Sequence, residues 1–406
     1  MIEITNVQTL EGKVIDKLVP SQENQRIDGR GLTLFPGLID PHVHFRTPGL
    51  EYKENWLTGA SAAIHGGITT VFDMPNTIPS TIAQDRVREK SRLIDVQLRS
   101  VDIPLRYGLY LGADKHHFDE IEKSEDEIVG IKVFMGSSTG ELLMDDEESL
   151  HTAFSLAKKY DLLLAVHAED EQLLAKQRAL FLGATDPAVH SKLRSREVAI
   201  EATRRAISLA KKYGTRLYLL HIGTKEEVEL IAQAKKEGVA LFAETSPHHL
   251  FLTEEDYKKW GTKVQMNPPL RTKEDGECLW NAIRTGVIDT IGSDHAPHTL
   301  EEKNKPYGQA PSGIPGVETT LPLLLDAYQR KRISLKEIVN LMRENILKIF
   351  RREGSEDFVL VDLHKMRLVD EKKLKSRCGW SPYHGRQLTG WPIYTILQGR
   401  VYDLQK

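Results

Sequence analysis

A chain of 406 residues that is 40% hydrophobic and 28% charged is too long for a minimal domain and has the make-up of a packed globule, one large domain plus a smaller one. Its formal net charge of -3 supplies no basic field of the kind that gathers nucleic acid, so nucleic acid is not an expected partner. The two cysteines, Cys278 and Cys378, form no CxxC pair, and no run of about 18 apolar residues occurs; neither a disulfide framework, nor a thiolate zinc site, nor a membrane span is expected.

The opening stretch, MIEITNVQTLEGKVID, lacks a basic region followed by an apolar core, so secretion is not expected and a reducing cytoplasm is the default location. Residues 1–33 carry short β-like pieces, MIEITNVQTL and KVIDKLVP. Eight β-rich apolar runs follow: LFPGLIDPHVHF (34–45), TTVFDMP (69–75), LRYGLYLG (105–112), GIKVFMG (130–136), LLLAVHAE (162–169), RLYLLHIG (216–223), VALFAET (239–245) and DTIGSDHAP (289–297). Between them lie NWLTGASAAIHG, EESLHTAFSLAKKY, SREVAIEATRRAISLAKKYG and KEEVELIAQAKKEG, with apolar residues three and four apart and glycine at several ends. Alternating β and α units predict a parallel sheet, and eight of them predict an α/β fold, a (β/α)8 TIM barrel over residues 34–355. Residues 356–406 return to β-like pieces, DFVLVDL and YTILQGRVYDL, which predict a small β-subdomain formed with residues 1–33.

The first barrel run ends in Asp40-Pro-His42-Val-His44-Phe-Arg46, so two imidazoles and a guanidinium share one face of an extended strand. An HxH pair alone fits packing or surface histidines better than a metal site. Further candidates stand at the C-terminal ends of later strands: His167, His221 and Asp294. In a barrel those ends form the catalytic face, so residues scattered along the chain converge on one cavity. Lys132, inside GIKVFMG, is costly to bury unless neutral, paired or modified. Either it forms an ordinary ion pair, or its neutral amine captures carbon dioxide to give a carbamate able to bridge two cations.

Imidazole and carboxylate donors suit zinc and related divalent metals. On this reading His42, His44 and Asp294 hold one ion, His167 and His221 the other, and modified Lys132 and a hydroxide lie between them. Metal coordination lowers the pKa of water from about 15.7 toward roughly 7, which makes attack on an amide carbonyl feasible. Asp294 is placed to accept the water's proton and deliver it to the leaving nitrogen. His248, His249 and His295 are read as structural, and GSSTGE (136–141) as a lid that closes over substrate.

The motifs PGLIDPHVHFRTPG, DMPNT, GIKVFMG, VHAE, LHIG, MNPPLR, SDHAPH and GIPGVET, in this order, resemble the dihydroorotase branch of the amidohydrolase superfamily over nearly the whole chain. The resemblance implies a barrel of the amidohydrolase type, two zinc ions per subunit, a carboxylated Lys132, and Asp294 as general base and acid. It also implies reversible hydrolysis of dihydroorotate to N-carbamoyl-aspartate in pyrimidine (UMP) biosynthesis. Arg46 clamps the substrate carboxylate on this reading, completed by Asn76 and His298, with Asn267 a contact for the ring; a structural ion pair for Arg46 and a supporting place beside a metal ligand for His298 remain open. Allantoinases, hydantoinases and dihydropyrimidinases share single motifs, and a non-catalytic scaffold homologue would lack ligands that are all present here. A homodimer and a complex with aspartate transcarbamoylase are the assemblies compatible with the resemblance.

Overall fold

The eight apolar runs form eight parallel strands, hydrogen-bonded in chain order. The computed structural model describes residues 1–137 and 142–405. Four strands, β1 (Ile2–Gln8), β2 (Val14–Val19), β3 (Gln25–Asp28) and β4 (Thr33–Pro36), precede the barrel. The barrel comprises β5 (Leu38–Val43), β6 (Ile68–Asp73), β7 (Arg106–Gly112), β8 (Gly130–Phe134), β9 (Leu163–His167), β10 (Arg216–Leu219), β11 (Leu241–Thr245) and β12 (Thr290–Ile291). The ring closes where Val43 bridges His295 and the His44 N–H donates to the His295 carbonyl at 2.8 Å. Strands covered on both faces read as continuous apolar runs, and β8 and β9 are buried at every position.

The helices lie where the apolar spacing predicts them. In Arg196–Tyr213, Val198, Ala199, Ala202, Ala206, Leu209 and Ala210 are buried on one stripe, and the helix stops at Gly214 with φ 70°. Lys225–Lys236 starts with a reciprocal cap between Thr224 and Glu227. The N-terminal mouth of the barrel is plugged by Asn345–Phe350, whose Phe350 ring packs on Phe72, Tyr110 and Tyr218. The C-terminal mouth carries the cavity lined by the histidines. Among the described residues, no helix is long and apolar enough to cross a membrane.

The run 34–45, expected as one strand, is two. It breaks at Gly37, whose N–H donates to the Asp357 carbonyl at 2.7 Å. Upstream of the break, β4 leaves the barrel and pairs antiparallel with β13 (Phe358–Leu368). With β14 (Gln387–Leu397) and β15 (Arg400–Asp403) these strands make one seven-stranded sheet from both chain ends, ordered β15-β14-β13-β4-β1-β2 with β3 on β1. Its core is Ile2, Ile4, Val7, Val19, Leu360, Ile393 and Ile396. A Cβ at Gly37 would fall 2.4 Å from Thr69 Oγ1 and 2.8 Å from Asp357 Cβ, so the two sheets meet there without room for a side chain. Gly37→Ala is expected to cost about 1–3 kcal/mol of stability, read as a lower urea midpoint; an unchanged midpoint would mean the junction yields freely.

Candidate metal centre

Five of the ligand candidates stand at the C-terminal end of a barrel strand, His42 and His44 at β5, His167 at β9, His221 just past β10 and Asp294 just past β12, while Lys132 projects from the middle of β8 rather than from its end. They line one buried cavity together with Arg46, Asn76, Phe134, Asn267, Ala296, Ser312 and Gly313. Arg46, His221 and Asp294 have φ of 62°, 41° and 46°. Left-handed backbone at a residue with a Cβ costs on the order of 1 kcal/mol each. At these three positions it turns the side chain at a strand end into the cavity.

His42 Nε2 and His44 Nε2 each lie 3.2 Å from Asp294 Oδ1, and donor atoms of these three residues fall within 4.8 Å of one another. Their other ring nitrogens are held from behind. His42 Nδ1 is 2.8 Å from Glu244 Oε1, and Glu244 itself accepts from the Tyr218 hydroxyl at 2.7 Å. His44 Nδ1 is 2.7 Å from Asn76 Oδ1. A carboxylate or amide oxygen only accepts, so each Nδ1 carries the proton and each Nε2 offers its lone pair inward. Opposite them, His167 Nδ1 and His221 Nε2 approach to 3.0 Å, while His167 Nε2 donates to Glu169 at 2.9 Å. His221 Nδ1 is buried without a hydrogen-bond partner among the described residues.

Burial disfavours charge on these rings: it pushes His44 down to about 3, lowers His167, and holds His221 well below its ordinary value. They are neutral imidazoles, the form that coordinates metal. Burial opposes ionisation of Asp294 as well, but positive charge facing it, such as a proton on His42 or His44, outweighs burial and holds the carboxyl well below its usual range. Lys132 is 1% exposed and forms no ion pair among the described residues; its Nζ lies 4.6 Å from the centre of the Phe134 ring. Burial lowers its pKa to about 7, against the pull of Asp294 and Glu244. Neutral imidazoles, one carboxylate and an amine that is readily neutral, all turned to one space, fit divalent metal.

Arg46, also 1% exposed, is anchored through Nε to the Pro297 carbonyl at 3.1 Å, while its Nη1 is buried with no partner among the described residues. Burial lowers its pKa to about 10, which leaves it cationic at neutral pH. His298 does not line the cavity. It stands behind Arg46, with Nε2 3.2 Å from Arg46 Nη2 and 3.0 Å from the Ser312 carbonyl. Lys53 Nζ lies 3.0 Å from His298 Nδ1; an ammonium can only donate, so Nδ1 accepts and Nε2 carries the proton. Asn267 lines the cavity, and its Oδ1 accepts from His190 Nε2 at 3.0 Å.

The histidines read as structural lie outside the lining. His248 and His249 are buried in Pro247–Phe251, and His295 Nδ1 accepts from the Gly316 N–H at 3.0 Å, steadying the loop that carries Gly313. Of the expected lid, Ser137 donates its N–H to Glu171 at 2.6 Å, and residues 138–141 lie outside the described residues. The acids Glu169 and Glu244 were not singled out from sequence. Both carry the signal that marks Lys132: a charge within or beside an apolar strand.

A model of the amidohydrolase family matches residues 33–401. A dihydroorotase from Thermoanaerobacter sp. is 36% identical, over 96% of this chain and 90% of its own. One from Elusimicrobium minutum is 34% identical, over 99% and 92%. Among solved structures, an L-hydantoinase (dihydropyrimidinase) from Arthrobacter aurescens superposes with a TM-score of 0.91 at 30% identity, covering 98% of this chain and 95% of that one. With its barrel, its terminal sheet and its His-His-Asp cluster, the chain belongs to the amidohydrolase family, as a cyclic amidohydrolase.

Proposed function

We propose that this enzyme is a dihydroorotase, opening and closing the ring between (S)-dihydroorotate and N-carbamoyl-L-aspartate in pyrimidine synthesis in the cytoplasm. The observation that carries the reading is Arg46 Nη1, a buried cationic donor with no partner among the described residues, in a residue that lines the same cavity as the metal-ligand candidates. A buried unpaired donor costs about 1–3 kcal/mol, more for a charged group, and a carboxylate on the substrate ring offsets that cost. Dihydroorotate carries such a carboxylate; hydantoin and dihydrouracil do not. The relatives named dihydroorotase point the same way.

In this reading His42, His44 and Asp294 hold one zinc ion and His167 and His221 the second, with carboxylated Lys132 spanning the two. Bound there, the ions would polarise the ring carbonyl and acidify water toward a pKa of about 7. Asp294, as a carboxylate, takes the proton of the attacking water and passes it to the ring nitrogen as the C–N bond opens. In the reverse direction it takes that proton back. Arg46 fixes the substrate carboxylate, Asn76 orients His44 and borders the ring, and Asn267 closes the far side. All six ligand candidates are present and line one cavity, which disfavours a scaffold role.

The test is turnover of dihydroorotate, hydantoin, dihydrouracil and allantoin by the purified protein with zinc and bicarbonate. Clear preference for dihydroorotate is expected. Preference for a neutral ring would keep the metal chemistry, agree with the hydantoinase-like fold, and discard the role given to Arg46. Arg46→Met is expected to lower kcat/KM for dihydroorotate about 100-fold, the loss of roughly 3 kcal/mol of charge-assisted hydrogen bonding, and to leave hydantoin turnover unaltered. Equal losses on both substrates would move Arg46 out of the carboxylate pocket.

A further inference from the structure

We infer that Glu169 and Arg194 form a buried positioning pair for the His167 half of the site, and that the segment ending at Arg194 ties that half to two other cavity walls. Glu169 is completely buried two residues beyond His167, and its Oε2 accepts both from His167 Nε2 at 2.9 Å and from Arg194 Nη1. Arg194 follows the short helix His190–Leu193 and is itself buried. Its Nη2 donates to the Ser137 carbonyl at 2.5 Å, on the segment that continues from the Lys132 strand. That segment also presses directly on Glu169: a Cβ at Gly136 would lie 2.4 Å from the Glu169 carbonyl oxygen. From the same short helix, His190 holds Asn267. One stretch of five residues therefore touches His167 through Glu169, the Lys132 segment through Ser137, and the Asn267 wall through His190.

A neutral imidazole carries a single N–H, and a carboxylate can only accept. Glu169 thus places the proton of His167 on Nε2 and leaves the Nδ1 lone pair facing His221. A lone carboxylate at this depth would be costly, and Arg194 supplies the compensating charge. The opposite half is built differently, since Glu244 behind His42 is satisfied by a neutral Tyr218 hydroxyl. The two halves accordingly respond to different substitutions. The metal readout below rests on the two-zinc reading; the tautomer readout does not.

Histidine-15N-labelled, metal-free protein is examined by long-range 1H–15N correlation, with His167 assigned by the signals missing in His167→Asn. Because Glu169→Leu alone strands the Arg194 charge, the deciding variant is Glu169→Leu with Arg194→Met, which removes both charges. Wild type is expected to show His167 protonated at Nε2, and the double variant to lose that preference. In calorimetric titration of the metal-free proteins with Zn2+ alone, one class of site is expected to weaken about 10–100-fold in the double variant and the other to hold. Wild-type His167 protonated at Nδ1 overturns the inference, as does a double variant with unchanged tautomer and unchanged zinc binding, or one weakened equally in both classes. A wild type that takes up one zinc while His167 is protonated at Nε2 sinks the two-zinc reading, and the loss of that tautomer in the variant still decides the role of the pair.

Discussion

Lys132→Met is expected to leave a folded protein, as stable as the parent or more so, whose turnover falls by about 1,000- to 10,000-fold, the loss of several kcal/mol of metal-derived stabilisation. The two halves of this expectation share one cause. The amine sits in a barrel strand against an aromatic ring and forms no ion pair among the described residues, and burial drives its pKa from 10.5 to about 7 against the pull of Asp294 and Glu244. The sign follows directly: the folded state binds this proton less tightly than the unfolded state, so the amine destabilises the fold increasingly as pH falls from 10.5 toward 7, and at neutral pH the full penalty is present. A methionine of similar length removes that penalty. The same depressed pKa makes the amine available, as a neutral nucleophile, to carbon dioxide. Thermal midpoint, zinc per chain and rate, measured together, separate the effects: a stable variant that keeps its rate would show that Lys132 is not a bridge, and a variant that loses its fold would show that the amine is structural. Wild-type activity should also rise with bicarbonate after the protein has been stripped of it.

Much of this arrangement was legible in the chain, and what was not has identifiable causes. Strand periodicity located all eight barrel strands, because a strand covered on both faces must be apolar throughout. The break at Gly37 was not legible, since it depends on Thr69 and Asp357 occupying the space where a side chain would go. Parity along the strand fits His42 and His44, but the strand ends at Val43 and Arg46 reaches the cavity from left-handed backbone rather than from the extended strand that its spacing predicts. Parity could equally have paired His167 with Glu169, two residues apart on the same face. Other supports are remote in sequence: Glu244 lies 202 positions from His42, and Lys53 lies 245 from His298, so only the closed barrel brings them into contact. His298 shows the limit of motif reading most directly. Its motif places it near the substrate carboxylate, whereas its position here is one layer back, with Nδ1 engaged by Lys53 and Nε2 by the Ser312 carbonyl.

Asp294→Asn is expected to abolish catalysis more cleanly than any substitution of similar size. Asparagine has nearly the same volume and tolerates left-handed backbone about as well as aspartate, so the φ of 46° at this position is no obstacle and the fold should survive. It can still offer an oxygen to His42 and His44. What it cannot do is hold a proton between two steps. General acid and base catalysis by a placed group contributes about 100- to 10,000-fold, and here one group performs both transfers, so a loss near the upper figure is expected in kcat with a smaller change in KM. Ring opening and ring closure cross the same transition state, and no substitution changes the equilibrium between free substrate and product; hydrolysis of dihydroorotate and cyclisation of N-carbamoyl-aspartate must therefore fall by the same factor in kcat/KM. Removal of the carboxylate also weakens the His42–His44 half of the centre, which would mimic the loss of a proton carrier. Rates taken at zinc concentrations that saturate the variant separate the two. If activity then returns to within tenfold of wild type, Asp294 is a ligand alone and another group carries the proton; if the loss persists with zinc bound, the proton passes through Asp294 in both directions.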